Sequence, residues 1–256
     1  MIRQLGILLM SACCVAGCDF TFGSSTEGDR GELEFGYAGD ALFECLFGCE
    51  ADAPILVGAT ATVVVDDDLP DESFTVHVPS WVSHDYEEIF ECELTLADGS
   101  TTSRTVEHGE PCRPEEHRSA VRLISLRATE EGIFPVEVLL DGEILDSIDI
   151  EAREHDSFAV RDAETGLVAD RVALSLGGRE TLDPVFYDAE GRELYYDDID
   201  GYWSADDEEL VTVDNDADWG LGGSAEVEVI ARAAGSTVLR FAGPDGEWAA
   251  VPVVVH

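Results

Sequence analysis

The sequence predicts an all-β protein that contains two consecutive β-sandwich domains. Short runs in which apolar and polar residues alternate recur along the chain, and no segment sustains the period of an amphipathic helix. Asp-Gly dipeptides, the strongest signal for a tight hairpin turn, follow two of these runs at Asp98-Gly99 and Asp141-Gly142. Many short strands joined by such turns, with no helix between them, are typical of β-sandwiches.

The alternation also predicts which side chains face the interior. Successive side chains of a strand point to opposite faces, so every second residue of a half-buried strand is apolar. The residues predicted to point inward are Phe74, Val76 and Val78; Phe134, Val136, Val138 and Leu140; Val172, Leu174 and Leu176; Val227, Val229 and Ala231; and Thr237, Leu239 and Phe241. The segment 249–256 is predicted to be the terminal strand.

The length of 256 residues fits two sandwiches of ordinary size. A boundary is predicted in the charged segment 151–156, because it follows one complete alternating run and precedes another. This divides the folded part into domains at 32–152 and 153–256. The cysteines of the folded part all lie in the first domain, so the second is predicted to depend on its own hydrophobic core alone.

The charge of the chain excludes several kinds of partner. It has 14 Lys plus Arg against 56 Asp plus Glu, a formal net charge of -42, and every basic residue is arginine. Nucleic-acid binding requires cationic residues that displace counterions from phosphate, and no basic stretch is present. The same charge disfavours electrostatic docking on anionic lipids.

The N-terminus has the three parts of a secretory signal peptide, which we predict to span residues 1–17. Arg3 supplies the positive region, and a short apolar run follows that is too short to span a bilayer. The stretch Val15-Ala16-Gly17-Cys18 resembles the lipobox of bacterial lipoproteins. The resemblance implies that Cys18 becomes the first residue of the mature chain and carries the lipid.

The residues after Cys18 predict how the protein is displayed. Residues 18–31 are rich in Gly, Ser, Thr and acidic residues, which is typical of a flexible tether. We therefore predict a protein anchored by its N-terminal lipid on the extracytoplasmic side of the cell envelope. Asp19 resembles an inner-membrane retention signal of enteric bacteria, but that rule is not universal, and the choice of membrane stays open.

The cysteines that remain after the signal peptide and Cys18 are predicted to form disulfides. Cys45, Cys49, Cys92 and Cys112 are an even number in an oxidising compartment, and three pairings are open to them. We favour Cys45–Cys49 and Cys92–Cys112. A zinc site that includes His108 and His117 is the alternative, but the spacing matches no standard zinc motif.

The second half resembles a bacterial immunoglobulin-like domain of group 2, the Big2 type, over residues 172–255. The elements that carry the resemblance are the opening strand with its Gly-rich turn, the stretch Trp203-Ser204-Ala205-Asp206, and the closing strand pair around Ala233-Ala234-Gly235. The resemblance implies an immunoglobulin-like sandwich in which Trp203 is the core tryptophan. The end of the first half, residues 131–152, also resembles the end of an immunoglobulin-like module.

Chemistry is predicted only weakly by the sequence, and we expect no enzyme. Neither a nucleophile elbow nor a zinc-protease or phosphate-binding motif is present. His77, His84 and Asp85 come closest to a catalytic grouping, but His77 is predicted on the solvent face of its strand and His84 in a loop. No catalytic residue and no obligatory cofactor are therefore predicted.

A calcium site is the one metal hypothesis. Asp214, Asp216 and Asp218 occupy alternate positions, and calcium takes several carboxylate oxygens. The pattern departs from an EF-hand loop, because Trp219 stands where Gly is needed and Ala225 where the bidentate Glu belongs. A solvated acidic loop is the alternative.

These observations lead to three functional expectations. The first is a non-enzymatic, lipid-anchored envelope protein with immunoglobulin-like domains and a structural or adhesive role. The second is a calcium-dependent module that binds carbohydrate or protein. The third is an accessory subunit of an envelope enzyme complex. The partner, an envelope or extracellular protein or a glycan, is not identified by the sequence.

Overall fold

Nineteen strands make up the regular secondary structure in the part of the chain that a computed structural model describes. The described residues are 26–38, 53–66, 72–96, 101–106, 110–215, 225–243 and 246–256. Within these ranges there is no helix, which confirms the all-β prediction. The strands assemble into four sheets, arranged as two sandwiches.

The first sandwich is built from ten strands. They are β1 (Thr26–Glu27), β2 (Glu34–Tyr37), β3 (Ile55–Leu56), β4 (Ala61–Asp66), β5 (Thr75–His77), β6 (Val82–Thr95), β7 (Thr101–Val106), β8 (His117–Ala128), β9 (Gly132–Leu140) and β10 (Glu143–Arg153). One sheet has the order β1-β2-β4-β8-β6-β7 and the other the order β3-β10-β9-β5. Buried side chains from both sheets share one core, as Phe35 and Ile124 of the first sheet and Phe134 and Ile150 of the second illustrate.

The second sandwich is built from nine strands. They are β11 (Ser157–Asp162), β12 (Val168–Ala169), β13 (Val172–Leu174), β14 (Arg179–Tyr187), β15 (Tyr202–Ala205), β16 (Val211–Asp214), β17 (Val227–Ala231), β18 (Gly235–Gly243) and β19 (Gly246–Val255). Its sheets have the orders β12-β11-β14-β17-β16 and β13-β19-β18-β15. Phe186, Trp203 and Phe241 form the aromatic centre of its core, with Trp203 and Phe241 ring centroids 5.1 Å apart.

The predicted alternation places most side chains correctly. Phe134 and Val136 are buried between exposed or half-buried neighbours, and the hairpin turn between β9 and β10 has positive φ at Asp141 and Gly142, as expected for an Asp-Gly turn. Leu176 was predicted to point inward, but it is exposed. The reason is that β13 ends at Leu174, so the alternation does not continue to Leu176.

The predicted tether over 18–31 extends too far, because residues 26–31 belong to the first sandwich. Strand β1 pairs with β2, and the carboxylate of Asp146 on β10 holds the intervening turn. Asp146 is fully buried and accepts hydrogen bonds of 2.8 to 2.9 Å from the backbone N–H groups of Arg30, Glu32, Leu33 and Ser147. A Gly-rich composition predicted flexibility, whereas a distant aspartate orders this turn.

The second half of the chain has no cysteine, and the hydrophobic core of its sandwich is not built from residues 153–256 alone. Leu56 and Ala59, which lie in the first half of the chain, are buried in the core of the second sandwich. Tyr195 of the second sandwich packs in turn against the core of the first, and its ring stacks on Tyr37 with centroids 4.0 Å apart. Tyr37 and Tyr195 are 158 positions apart in the sequence, so no local pattern reveals this contact.

Candidate functional site

The predicted site residues fall into two groups. Cys18, Cys45, Cys49, Asp216 and Asp218 lie outside the described residues, so the lipidation, the Cys45–Cys49 pairing and most of the calcium hypothesis stay predictions. Asp214 is described and is the exposed last residue of β16.

The Cys92–Cys112 disulfide is confirmed. It joins the C-terminal part of β6 to the segment before β8, with a sequence separation of 20 residues. Both sulfurs are bonded to each other, so this pair does not provide the thiolates that the zinc alternative requires. Glu116, whose carboxylate lies within 4.8 Å of both sulfurs, forms an ion pair with Arg104 at 3.1 Å. The side-chain hydrogen bond from Arg104, with a backbone bond from Arg113, lowers the pKa of Glu116 below its usual value.

The candidate histidines are both exposed and lie on different sheets of the first sandwich, so they are not gathered into a site. His77 is the exposed end of β5, as predicted. His84 was predicted in a loop, but it lies in β6, a strand of 14 residues that pairs with β8 along most of its length. The polar run Ser83-His84-Asp85 forms strand because β8 supplies its hydrogen-bonding partners, although its own alternation is weak.

A buried ionic network in the first sandwich was missed by the sequence analysis. Arg122 on β8 is fully buried, donates from Nε to Glu88 at 3.2 Å, and lies over the ring of Phe74 at 4.3 Å. Tyr86 donates its hydroxyl to the same carboxylate at 2.6 Å. Burial raises the pKa of Tyr86, and the hydrogen bond to Glu88 raises it further. The sequence contained an indication of this burial. Arg122 lies two residues before the inward-facing Ile124 on the same strand, so both side chains point to the same face.

The start of the acidic loop has a structural task in the second sandwich. The Asn215 side chain accepts from the backbone N–H of Trp203 at 2.7 Å and donates to the Trp203 carbonyl at 3.0 Å. The indole N–H of Trp203 donates to the carbonyl of Ala225 at 2.7 Å. The Asn215 amide therefore pairs with the Trp203 backbone as a neighbouring strand would. Because its oxygen already accepts a hydrogen bond, it is less available as a ligand for a cation.

A set of long-range polar contacts lies where the two sandwiches meet. We call this region the junction and define it as segments 53–60 and 194–200 together with the linker 154–156. Leu56 donates its backbone N–H to the Tyr195 carbonyl at 3.0 Å, and Tyr195 donates to the Pro54 carbonyl at 2.9 Å. Further along, Thr60 donates to the Asp198 carbonyl at 2.7 Å. The two segments thus share a short ladder of backbone hydrogen bonds.

The linker of the junction is also held in place. Glu154 donates its backbone N–H to the Glu131 carboxylate at 2.9 Å, and Asp156 donates to the Tyr187 carbonyl at 2.8 Å. Between them, the imidazole of His155 lies 5.3 Å from the ring centroids of both Phe186 and Trp248. Glu154 is therefore tied to the first sandwich, and His155 and Asp156 are tied to the second.

A cleft of about 320 Å³ lies in the groove beside the junction. Its polar walls include Arg161, Asp183, Glu193, Tyr196 and Asp197. Arg161 is paired with Glu193 at 2.6 Å, and the Asp197 carboxylate accepts from the Thr62 backbone and the Tyr195 hydroxyl. Burial raises the pKa of Tyr196 well above its usual value, and its hydroxyl donates to Asp183 and to the Pro184 carbonyl. These polar side chains are engaged in contacts within the protein.

Comparisons with known proteins add little to this description. No family model matches the chain, and no curated protein matches it. Among solved structures, the chain is similar to domains 4 and 5 of the S-layer protein SbsC, with 22% identity over 51% of this chain and 68% of that one, and a TM-score of 0.29. Among the described residues, there is no helix long and apolar enough to cross a membrane.

Two adhesins are also similar. FdeC of Escherichia coli aligns over 92% of this chain and 66% of its own, with 16% identity and a TM-score of 0.30. InvE of Yersinia pseudotuberculosis aligns over 80% of this chain and 57% of its own, with 14% identity and a TM-score of 0.29. This chain thus spans about two thirds or less of either adhesin, and TM-scores of this size carry no argument about function.

Proposed function

We propose that this protein is a non-enzymatic, lipid-anchored component of the cell envelope that serves as a stiff structural or adhesive module. The observation that carries the proposal is the junction, in which the three linker residues are tied down and segments 53–60 and 194–200 are hydrogen-bonded to each other. Two sandwiches without a free linker keep a constant position relative to each other, so the module is stiff from one sandwich to the other. An adhesive or spacer protein needs this property.

The N-terminal sequence supports the envelope location. The lipobox-like Val15-Ala16-Gly17-Cys18 follows a short apolar segment, and acyl chains attached at Cys18 would each contribute about 0.8 kcal/mol of membrane affinity per buried methylene. The Cys92–Cys112 disulfide fits an oxidising, extracytoplasmic compartment. The net charge of -42 keeps such a surface soluble and unattractive to nucleic acid.

The anchor is tested by Cys18→Ala in the native host. The variant is expected to lose metabolic labelling with palmitate and to move from the membrane fraction to the soluble fraction. Cys14→Ala is the matched control, because Cys14 lies in the segment predicted to be removed, and it should keep both labelling and membrane location. Labelling that survives Cys18→Ala would refute the lipobox interpretation.

The adhesive role is tested separately. Deletion of the gene and the Cys18→Ala variant are compared with the wild type for attachment of whole cells to surfaces and to each other. The proteins crosslinked to the wild-type chain in intact envelopes are then identified. Reduced attachment in both strains, with a reproducible envelope or extracellular partner, supports adhesion. Unchanged attachment and no specific crosslink would refute it.

A further inference from the structure

The junction has a consequence for folding that reaches beyond the proposed function. Leu56 forms part of strand β3 in the first sandwich, yet its side chain and that of Ala59 are buried in the core of the second. Tyr195 belongs to the second sandwich by sequence, yet it packs against the core of the first. Each core is therefore completed by residues from the other half of the chain.

The polar contacts at the junction bind the same two segments together. Tyr37, on the first sandwich, stacks against Tyr195 with an interplanar angle of 14° and donates its hydroxyl to the Ala53 carbonyl at 2.8 Å. Asp197 donates its backbone N–H to the Thr60 carbonyl at 2.8 Å, and its carboxylate accepts from the Thr62 backbone. Unfolding either sandwich breaks this set of contacts and exposes apolar groups that belong to the core of its neighbour.

We infer that the two sandwiches are one cooperative folding unit, locked by the exchange of segments 53–60 and 194–200. Domains joined by a free linker open independently, each with its own stability. Here the loss of one sandwich removes Leu56 and Ala59, or Tyr195, from the core of the other, so the two are expected to open together. The inference concerns folding alone and holds whether or not the chain is lipid-anchored or adhesive.

The test perturbs the first sandwich at a place that does not contact the second. The Cys92–Cys112 disulfide lies in a small apolar cluster with Phe90 and Val106, which contains no residue of the second sandwich among the described residues. The double variant Cys92→Ser, Cys112→Ser in the full-length mature chain removes a constraint on a loop of about 20 residues, which lowers the folding equilibrium constant by on the order of a hundredfold.

The readout is amide hydrogen exchange, resolved by mass spectrometry into peptides from each sandwich. The expected result is that the most protected amides of β18 and β19 lose protection by the same factor as those of β8 and β9, within threefold. A smaller loss in β18 and β19 than in β8 and β9 would overturn the inference, because it would show that the second sandwich stays folded while the first opens.

Two further variants keep the test decisive. Ile148→Val is a milder change in the buried core of the first sandwich, and it replaces the double variant where that chain does not fold. It should lower protection several-fold and equally in both sandwiches, whereas a loss confined to β8 and β9 would overturn the inference. Ile133→Val is the matched control, since Ile133 is 66% exposed on the neighbouring strand and should leave protection unchanged in both.

Discussion

The carboxylate of Asp146 is predicted to be a main determinant of how the N-terminal turn joins the first sandwich. Four backbone donors converge on this fully buried group, and a Cβ at Gly28 would lie 2.5 Å from it, so the turn is shaped around the aspartate. Burial, the largest single influence, would raise the pKa of Asp146, but the hydrogen bonds from Arg30, Leu33, Ser147 and Glu32 together lower it below its usual value.

The change Asp146→Asn keeps the size of the side chain and replaces one acceptor oxygen with an amide NH2 group, a donor that faces backbone donors. A hydrogen bond to a charged group contributes about 1.5 to 3 kcal/mol, and a buried donor left without a partner costs about 1 to 3 kcal/mol. The Leu33 donor is buried, whereas the other donors are partly exposed and regain water. We therefore expect the free energy of unfolding at pH 7 to fall by about 3 kcal/mol, a large fraction of ordinary domain stability.

The pH dependence provides a second signature. Because the pKa of Asp146 is lowered in the folded state, its contribution is present above the unfolded pKa of about 4 and is lost as the pH falls through the folded pKa. The difference in unfolding free energy between wild type and Asp146→Asn should therefore shrink below roughly pH 4. The measurement is urea unfolding followed by circular dichroism from pH 7 to pH 3.

The matched control is Asp149→Asn, an identical charge change at an exposed position of the same strand. It should alter the unfolding free energy by less than about 0.5 kcal/mol, which is usual for surface positions. If Asp146→Asn and Asp149→Asn are equally stable at pH 7, the argument from the four converging donors is refuted.

Three other predictions concern the remaining polar groups. Arg122→Met leaves the Glu88 carboxylate without its buried cation and should lower the free energy of unfolding in urea by about 3 kcal/mol. Adding Glu88→Gln should recover part of this loss, and no recovery would contradict a cause based on charge. Asn215→Ala removes both hydrogen bonds to the Trp203 backbone and should lower the free energy of unfolding by about 1 to 2 kcal/mol. The measurement is urea unfolding followed by tryptophan fluorescence, and an unchanged unfolding midpoint would contradict the prediction. If calcium binds specifically, millimolar Ca²⁺ should raise the midpoint of thermal unfolding more than NaCl does at equal ionic strength. Replacing Asp214, Asp216 and Asp218 by Asn should remove this additional increase. Equal shifts from the two salts would reject the calcium hypothesis.

The local patterns predicted the strands well because burial and alternation are recorded in neighbouring residues. Val136 and Val138 on β9, and Val227 and Val229 on β17, are buried as their period requires. The Cys92–Cys112 pairing was favoured from the sequence among the three that are open to four cysteines, and the structure confirms it. The same patterns failed for Leu176 and for His84, where the end or the extent of a strand depends on its partner strands.

The sequence by itself determined the fold class and the inward faces of most strands, because each depends on residues that are close together in the chain, and it predicts an anchor at Cys18. Only the tertiary structure decided that Asp146 orders residues 26–31, that Asn215 pairs with Trp203, and that Leu56 completes the core of the second sandwich. The physical reason is common to the long-range cases. A hydrogen bond or a core contact between residues more than 100 positions apart leaves no periodicity for a local pattern to reveal, and exists only once the sheets have brought its partners together.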